Sequence, residues 1–203
     1  MLYLSECPVH HDDEIRSRKA TQARMRRNRQ RGLIFEEEMF ISSSRYLVLF
    51  ITLNYKRRYR DDVTLGSIKI HRDRLFRHIL EYQNPLLQGV EGIIWKLEEG
   101  DQSGLHMHLV IFYSAQRKAD VIVARDIGEY WVNEVTRGWG DYWNSNANKS
   151  KLKRWGVGIG QVNRHDNSKR EALQSVIAHY MSKANQVLKY RTEDDKLFGT
   201  RIF

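Results

Sequence analysis

VEGIIWKLEEGDQSGLHMHLVIFY, residues 90–113, decides how this chain folds. Residues 90–98 and 105–113 read as strands. The cluster Glu99-Gly100-Asp101-Gln102-Ser103-Gly104 between them is turn-forming, so the two runs read as a hairpin. Side chains alternate along a strand, which projects His106 and His108 from one face of the returning arm. Working outward, Tyr46 to Leu53 (YLVLFITL) is another continuous apolar run and reads as a central strand. Residues 67–82 carry Ile70, Leu75, Ile79 and Leu80 at near-helical spacing and stop by Asn84-Pro85. Residues 119–133 repeat that pattern with Val123, Ile127, Tyr130 and Trp131. Residues 138–155, rich in Trp, Tyr, Asn and Lys, read as a long loop, and Gly156 to Val162 alternates as a strand would. Ser168 to Ala184 sets Leu173, Val176, Ile177, Tyr180, Met181 and Ala184 on one helical stripe.

The order strand, helix, strand, strand, helix, strand predicts an α+β fold. The expected form is an antiparallel sheet in a β-α-β-β-α-β (RRM/ferredoxin-like) plan. Its helices would lie on one face and its first and third strands would be central. A tyrosine-bearing helix is added at the C-terminal side. Residues 1–45 read as a basic, helical N-terminal arm, and residues 46–203 as the compact domain. From Arg16 to Arg31 the arm has eight basic residues and no acidic one, and Gly32 then interrupts the run. A solvated helix or a dedicated nucleic-acid contact through residues such as Arg26 and Arg27 would both explain that charge.

Over the whole chain the net charge is +9 and the sequence pI about 9.7, which favours an anionic partner such as nucleic acid. A single cysteine, Cys7, excludes an internal disulfide and fits a reducing compartment. No apolar run approaches membrane-spanning length and the first residues lack a signal-peptide pattern, so no membrane partner and a cytoplasmic location are expected. No P-loop pattern is present, so any strand unwinding would come from a partner.

The chemistry-bearing residues fall in two places. His106 and His108 share a strand face, and Glu98 ends the preceding strand within reach of them. Two imidazoles and one carboxylate form a plausible divalent-metal set with open positions. Glu99 is the competing carboxylate, expected on the opposite face. Tyr180 and Lys183 lie three residues apart, on one face of the last helix. A tyrosine beside a cation and a metal is equipment for covalent attack on a phosphodiester. By itself a His-x-His pair is more often structural, and it is the combination that points to chemistry. Cys7, His10 and His11 lack the spacing partners of a zinc site. His71, His78, His165 and His179 read as surface or structural.

Gly104-Leu105-His106-Met107-His108 on a strand, followed by Tyr180-Met181-Ser182-Lys183, resembles the signature of HUH endonucleases, the rolling-circle replication initiators. The likeness is closest to the inovirus-type (filamentous-phage-like) replication proteins of phages and prophages. It runs from about Tyr46 to Phe203 and takes in Ile51-Thr52-Leu53-Asn54 and Trp95-Lys96-Leu97-Glu98. Residues 127–133 (IGEYWVN), 142–146 (YWNSN) and 198–201 (FGTR) are included as well. The resemblance implies His106, His108 and Glu98 as metal ligands, Tyr180 as nucleophile and Lys183 as its helper. It implies Mg²⁺ or Mn²⁺, although imidazole ligands would also admit Zn²⁺. Where relatives carry a second tyrosine one helical turn earlier, this chain has Val176, so a one-tyrosine enzyme is expected; Tyr190 is a remote substitute. The implied product is a 5′-phosphotyrosine link and a free 3′-OH at a replication origin. Single-stranded DNA, a host helicase and a host polymerase would be the partners, in the cytoplasm of a bacterial host. Arg57, Arg58, Trp139, Trp143, Lys149, Lys151 and Arg154, together with Tyr142, Trp155 and Lys153, are candidate DNA contacts through stacking and phosphate binding; the tryptophans would equally serve as core edge. A single-tyrosine transposase and a non-catalytic single-stranded nucleic-acid-binding module are the alternatives.

Overall fold

The structure is a computed structural model that describes residues 8–81, 84–184 and 195–203, with side chains from Ile15 onward. The fold is α+β. Helix α1 (Pro8–Ser42) precedes strand β1 (Arg45–Tyr55), helix α2 (Leu65–Leu80) and the hairpin β2 (Val90–Gly100) and β3 (Gly104–Ser114). Helix α3 (Asp120–Tyr130), strands β4 (Gly140–Asn144) and β5 (Gly160–Asn163), helix α4 (Asn167–Ser175) and strand β6 (Phe198–Ile202) follow. All six strands join one antiparallel sheet in the order β4-β1-β3-β2-β6, with β5 also paired to β1.

Three differences from the sequence reading have physical causes. Residues 138–155, expected as a loop, contain β4, which pairs with the second half of β1 from Ile51 to Tyr55. The segment taken as the fourth strand is β5, which pairs with the first half of the same edge, Arg45 to Val48. Strand β4 is only five residues long, too short for its periodicity to register. Strand β6 was missed because Gly199 and Arg201 break the apolar run; it pairs with β2.

The helices cover both faces of the sheet rather than one. Leu47, Leu49, Ile51 and Leu53 of β1 pack with Ile68, Leu75 and Phe76 of α2 and Val123 and Ile127 of α3. The alternate residues Tyr46, Val48 and Phe50 pack with Phe35, Met39 and Phe40 of α1 and Leu173, Val176 and Ile177 from α4 onward. Continuous apolar runs such as YLVLFITL are what a strand buried on both faces requires.

Helix α1 runs unbroken through Gly32, whose Cβ, were it present, would lie 2.6 Å from Ile177 Cγ2. The glycine costs helix propensity but lets the α4 segment approach closely. Beyond it Phe35, Met39 and Phe40 are buried, so the last turns of the arm belong to the core. Glu36, fully buried on α1, takes both arms of the Arg170 guanidinium at 2.9 Å and a hydrogen bond from Gln174. Among the described residues no helix is long and apolar enough to cross a membrane.

Removing one partner of a buried ion pair strands the other charge. Arg170→Ala should therefore cost about 3–5 kcal/mol in denaturant unfolding. A loss below about 1 kcal/mol, the scale of an exposed pair, would show that the clamp does not hold α1 to α4.

Candidate metal centre and nucleophile

The β2–β3 register sets Glu98 opposite His106 and Lys96 opposite His108, and the β1–β3 register sets Thr52 opposite His108. Because side chains alternate, all five point to the α1/α4 side of the sheet. They sit where β1 and β2 end and β3 begins, so the imidazoles lie at one end of a central strand rather than midway along it. Glu98 is 2% exposed, His106 8%, His108 4% and Lys96 0%. Glu99 pairs with Leu105 on the opposite face, as expected.

Glu98 Oε2 accepts a hydrogen bond from His108 Nε2 at 2.9 Å and lies 3.8 Å from His106 Nε2. One ligand atom from each of the three residues lies within 4.8 Å of the others, so the group could hold a metal ion. His106 Nδ1 is 2.9 Å from Gly104 O. A carbonyl only accepts, so the ring proton belongs on Nδ1 and the Nε2 lone pair faces the carboxylate. His108 Nδ1 is 2.8 Å from the Thr52 hydroxyl, which can donate or accept and so suits either tautomer. Glu98 Oε1 has the Lys96 ammonium at 2.8 Å but no well-aligned hydrogen bond. An ionised carboxylate oxygen with spare lone pairs, beside two neutral imidazoles, is a donor set that fits a divalent cation.

Burial dominates the electrostatics. It pushes His108 down to about 4 and also lowers His106, so both rings are neutral at neutral pH. Burial would raise Glu98, but the His108 hydrogen bond and the Lys96 ammonium outweigh it and hold the carboxyl at about 2. The Tyr180 phenol is pushed up to about 12 by burial and by the negative charge of Glu98.

Tyr180 comes from a segment that is not α-helical. Helix α4, N-capped by Asp166, gives way at Val176 to a π-helical turn, Val176–Met181. The Ser182 hydroxyl bonds back five residues to Ile177 O at 2.8 Å. Such turns are rare and frequent at functional sites. The turn holds the Tyr180 hydroxyl 3.4 Å from His108 Nε2. Phe50, His108 and Trp155 meet the Tyr180 ring edge-on at centroid distances of 5.4, 5.0 and 5.4 Å. Lys183 lies past the end of the turn rather than on a shared helix face, yet its ammonium sits 4.8 Å from the Tyr180 ring centroid and 3.7 Å from Glu98 Oε2. Val176 is buried against the sheet, and Tyr190, like Cys7 and the side chains of His10 and His11, lies outside the described residues.

Around the site, Trp143 pairs with Thr52 and is 47% exposed. It thus continues the cross-strand row Lys96, His108, Thr52 onto β4. Trp139, 40% exposed, stacks on Tyr59 at 4.8 Å, and Arg58 lies 4.7 Å from the Tyr59 centroid. Arg154 covers the half-buried Trp155 at 4.0 Å. Arg26, Arg27, Arg57, Lys151 and Lys153 are exposed. Two candidate DNA contacts point elsewhere: Lys149 is ion-paired with Asp120 at 2.8 Å, and Tyr142 faces α3 and donates to Glu129. His71 and His78 bond the hydroxyls of Tyr55 and Tyr130, as structural histidines would. The sequence reading passed over Lys96; an inward-facing position between Ile94 and Glu98 in the strand alternation was the available signal.

The pKa shifts make a stability prediction for the metal-free protein. His108 folded, at about 4, lies below its ordinary 6.5, so between those values the unfolded chain binds a proton that the folded chain refuses. Its contribution is complete above pH 6.5 and is lost as pH falls toward 4; Glu98 adds the same trend between 4.5 and 2. In chelator the melting temperature should fall from pH 7 to pH 4, and His108→Gln should flatten that fall. A profile unchanged by the substitution would mean that His108 titrates normally.

No protein-family model, curated protein or solved structure matches this chain.

Proposed function

We propose that the chain is an HUH-type, single-tyrosine DNA-nicking enzyme that initiates rolling-circle replication of a phage or related element in the bacterial cytoplasm. The observation that carries this reading is the Tyr180 hydroxyl, 3.4 Å from His108 Nε2 within the Glu98/His106/His108 group. A tyrosine held at a set of metal-ligand type is the arrangement that phosphodiester transesterification needs. The sheet supports it too: β1 and β3 lie inside it, as the first and third strands of a β-α-β-β-α-β plan would.

In this reading His106, His108 and Glu98 would hold Mg²⁺ or Mn²⁺. Such a cation, when bound, draws charge from a non-bridging phosphate oxygen and favours ionisation of a nearby phenol. Tyr180 needs that help, because burial holds its proton on up to about pH 12. The Lys183 ammonium over the ring stabilises the phenolate further. The phenolate oxygen attacks the scissile phosphorus, the bond from phosphorus to the 3′ oxygen breaks, and that oxygen takes up a proton. A 5′-phosphotyrosine and a free 3′-OH result. One phosphoester replaces another, so the step is reversible and the same tyrosine serves strand joining.

The substrate is single-stranded, since the scissile phosphate must enter a site roofed by Tyr180 and Trp155. Trp143 lies two strands from His108, about 10 Å across the sheet at the usual strand spacing. That is within reach of a base next to the scissile phosphate. Trp139 with Tyr59 and Arg58 offers a second stacking surface, and the arginines of α1 a longer-range attraction for the phosphate backbone.

Incubation with single-stranded oligonucleotides and Mn²⁺ should give a covalent protein–DNA band on a denaturing gel. Tyr180→Phe should abolish that band while DNA binding persists, and His106→Ala should remove its metal dependence along with most of the product. A band that survives in Tyr180→Phe would exclude Tyr180 as nucleophile. No band with any metal, despite DNA binding, would favour a non-catalytic binding module. Trp143→Ala should weaken single-strand binding by about 1–3 kcal/mol without altering its salt dependence, because stacking releases no counterions. Unchanged affinity would remove Trp143 from the interface.

A further inference from the structure

We infer that Lys96 is a positioning residue that links cation binding at Glu98 to the placement of the Tyr180 segment. The inference rests on the reading of Glu98, His106 and His108 as a metal site. A fully buried lysine needs a reason, because its ammonium loses hydration worth several kcal/mol and an apolar side chain of that length would fill the space more cheaply. Lys96 is 0% exposed. Its ammonium lies 2.8 Å from Glu98 Oε1 and donates at 3.0 Å to the carbonyl oxygen of Lys183, a residue 87 positions along the chain.

Those two acceptors belong to different parts of the machinery. Glu98 is the carboxylate of the candidate metal group and is a β2 neighbour of Lys96. The Lys183 carbonyl lies just past the π turn that carries Tyr180, where a helix leaves its last carbonyls without partners. A cation there satisfies one of them and meets the negative end of the local dipole. Lys96 is therefore a strut from the carboxylate to the end of the nucleophile's segment.

The strut makes binding directional. A dication approaching Glu98 Oε2 and the two Nε2 atoms competes with the ammonium for the same carboxylate. It repels the ammonium, whose other acceptor among the described residues is the Lys183 carbonyl. Cation binding thus strengthens the tie to the tyrosine segment, and by linkage an ordered segment strengthens cation binding. Lys183 cannot replace this strut, because its own ammonium is 44% exposed and lies 3.7 Å from the carboxylate.

The primary test uses Mn²⁺ alone, with amide hydrogen exchange of residues 181–184 as readout, in the wild type and in Lys96→Met. Methionine keeps the length and removes the charge and donors. Mn²⁺ should slow exchange there by roughly tenfold in the wild type and little in Lys96→Met, a coupling of the usual allosteric size. Direct titration should show that the variant still binds Mn²⁺. Equal Mn²⁺ protection in both proteins would overturn the inference, as would failure of the wild type to bind Mn²⁺. Lys96→Gln serves if the methionine variant does not fold; it keeps a donor for the carbonyl but not the charge, and should also lose the Mn²⁺ response. A purely structural lysine would lower the melting temperature in every variant and leave the Mn²⁺ effect on exchange intact. With DNA, the rate of adduct formation at saturating Mn²⁺ should drop about tenfold in Lys96→Met at unchanged DNA affinity, and Lys96→Arg should restore part of it. A wild type with Lys96-dependent Mn²⁺ protection but no adduct on any oligonucleotide would sink the nicking reading and leave the strut standing.

Discussion

A one-residue slip of β2 against β3 would turn Lys96 and Glu98 into the apolar layer under α2 and α3, away from His106 and His108, and would deliver Leu97 to the other side. The site depends on that register more than on any single contact. Both faces are buried, so a slip cannot be absorbed by exposing one set of residues to water. The turn helps to hold it: Gly104 adopts φ +64, a left-handed conformation that side chains disfavour, and its carbonyl takes the Nδ1 proton of His106. The residue that closes the hairpin is thereby the one that orients the His106 imidazole.

The α1/α4 face is divided along the strands. Toward one end it is apolar, with Tyr46 and Val48 of β1, Val110 and Phe112 of β3 and Ile94 of β2. Toward the other it carries Thr52, His108, His106, Lys96 and Glu98. The segment from α4 onward crosses that boundary. Leu173, Val176 and Ile177 sit over the apolar half, Tyr180 touches Phe50 on one side and His108 on the other, and Lys183 reaches the charged half. An apolar anchor and a polar tip are what let a tyrosine be held firmly while its hydroxyl stays available. The same face also holds the Glu36–Arg170 pair, which locks α1 across the start of α4. The last turns of the basic arm are thus built into the platform from which Tyr180 projects.

Much of this was legible beforehand, and the reasons differ by element. Long two-sided strands and the hairpin announce themselves, because β1, β2 and β3 are 11 residues each and rich in β-branched and aromatic residues. The His-x-His pair could be assigned to one face from alternation alone, whereas the choice of Glu98 over Glu99 needed the β2–β3 register. The short strand β4 could not be found, since it takes its stability from pairing with β1 rather than from its own pattern. Trp143 shows the same limit: its place in the row with Thr52 and His108 comes from strand pairing between segments remote in sequence. Gly32 looked like an interruption because a glycine in a helix is costly, and its use becomes visible only with Ile177 against it.

By itself the sequence determined the α+β class, the antiparallel hairpin, the shared face of His106 and His108, and the basic character of the chain. Those features follow from local periodicity and composition, which need no knowledge of distant neighbours. Only the tertiary structure decided that the helices cover both faces, that a π turn rather than an α-helix carries Tyr180, and that a buried Lys96 joins the carboxylate to that turn. Each of these depends on which surfaces meet across gaps of many residues, and burial energy and ion pairing settle that choice after the local elements have formed.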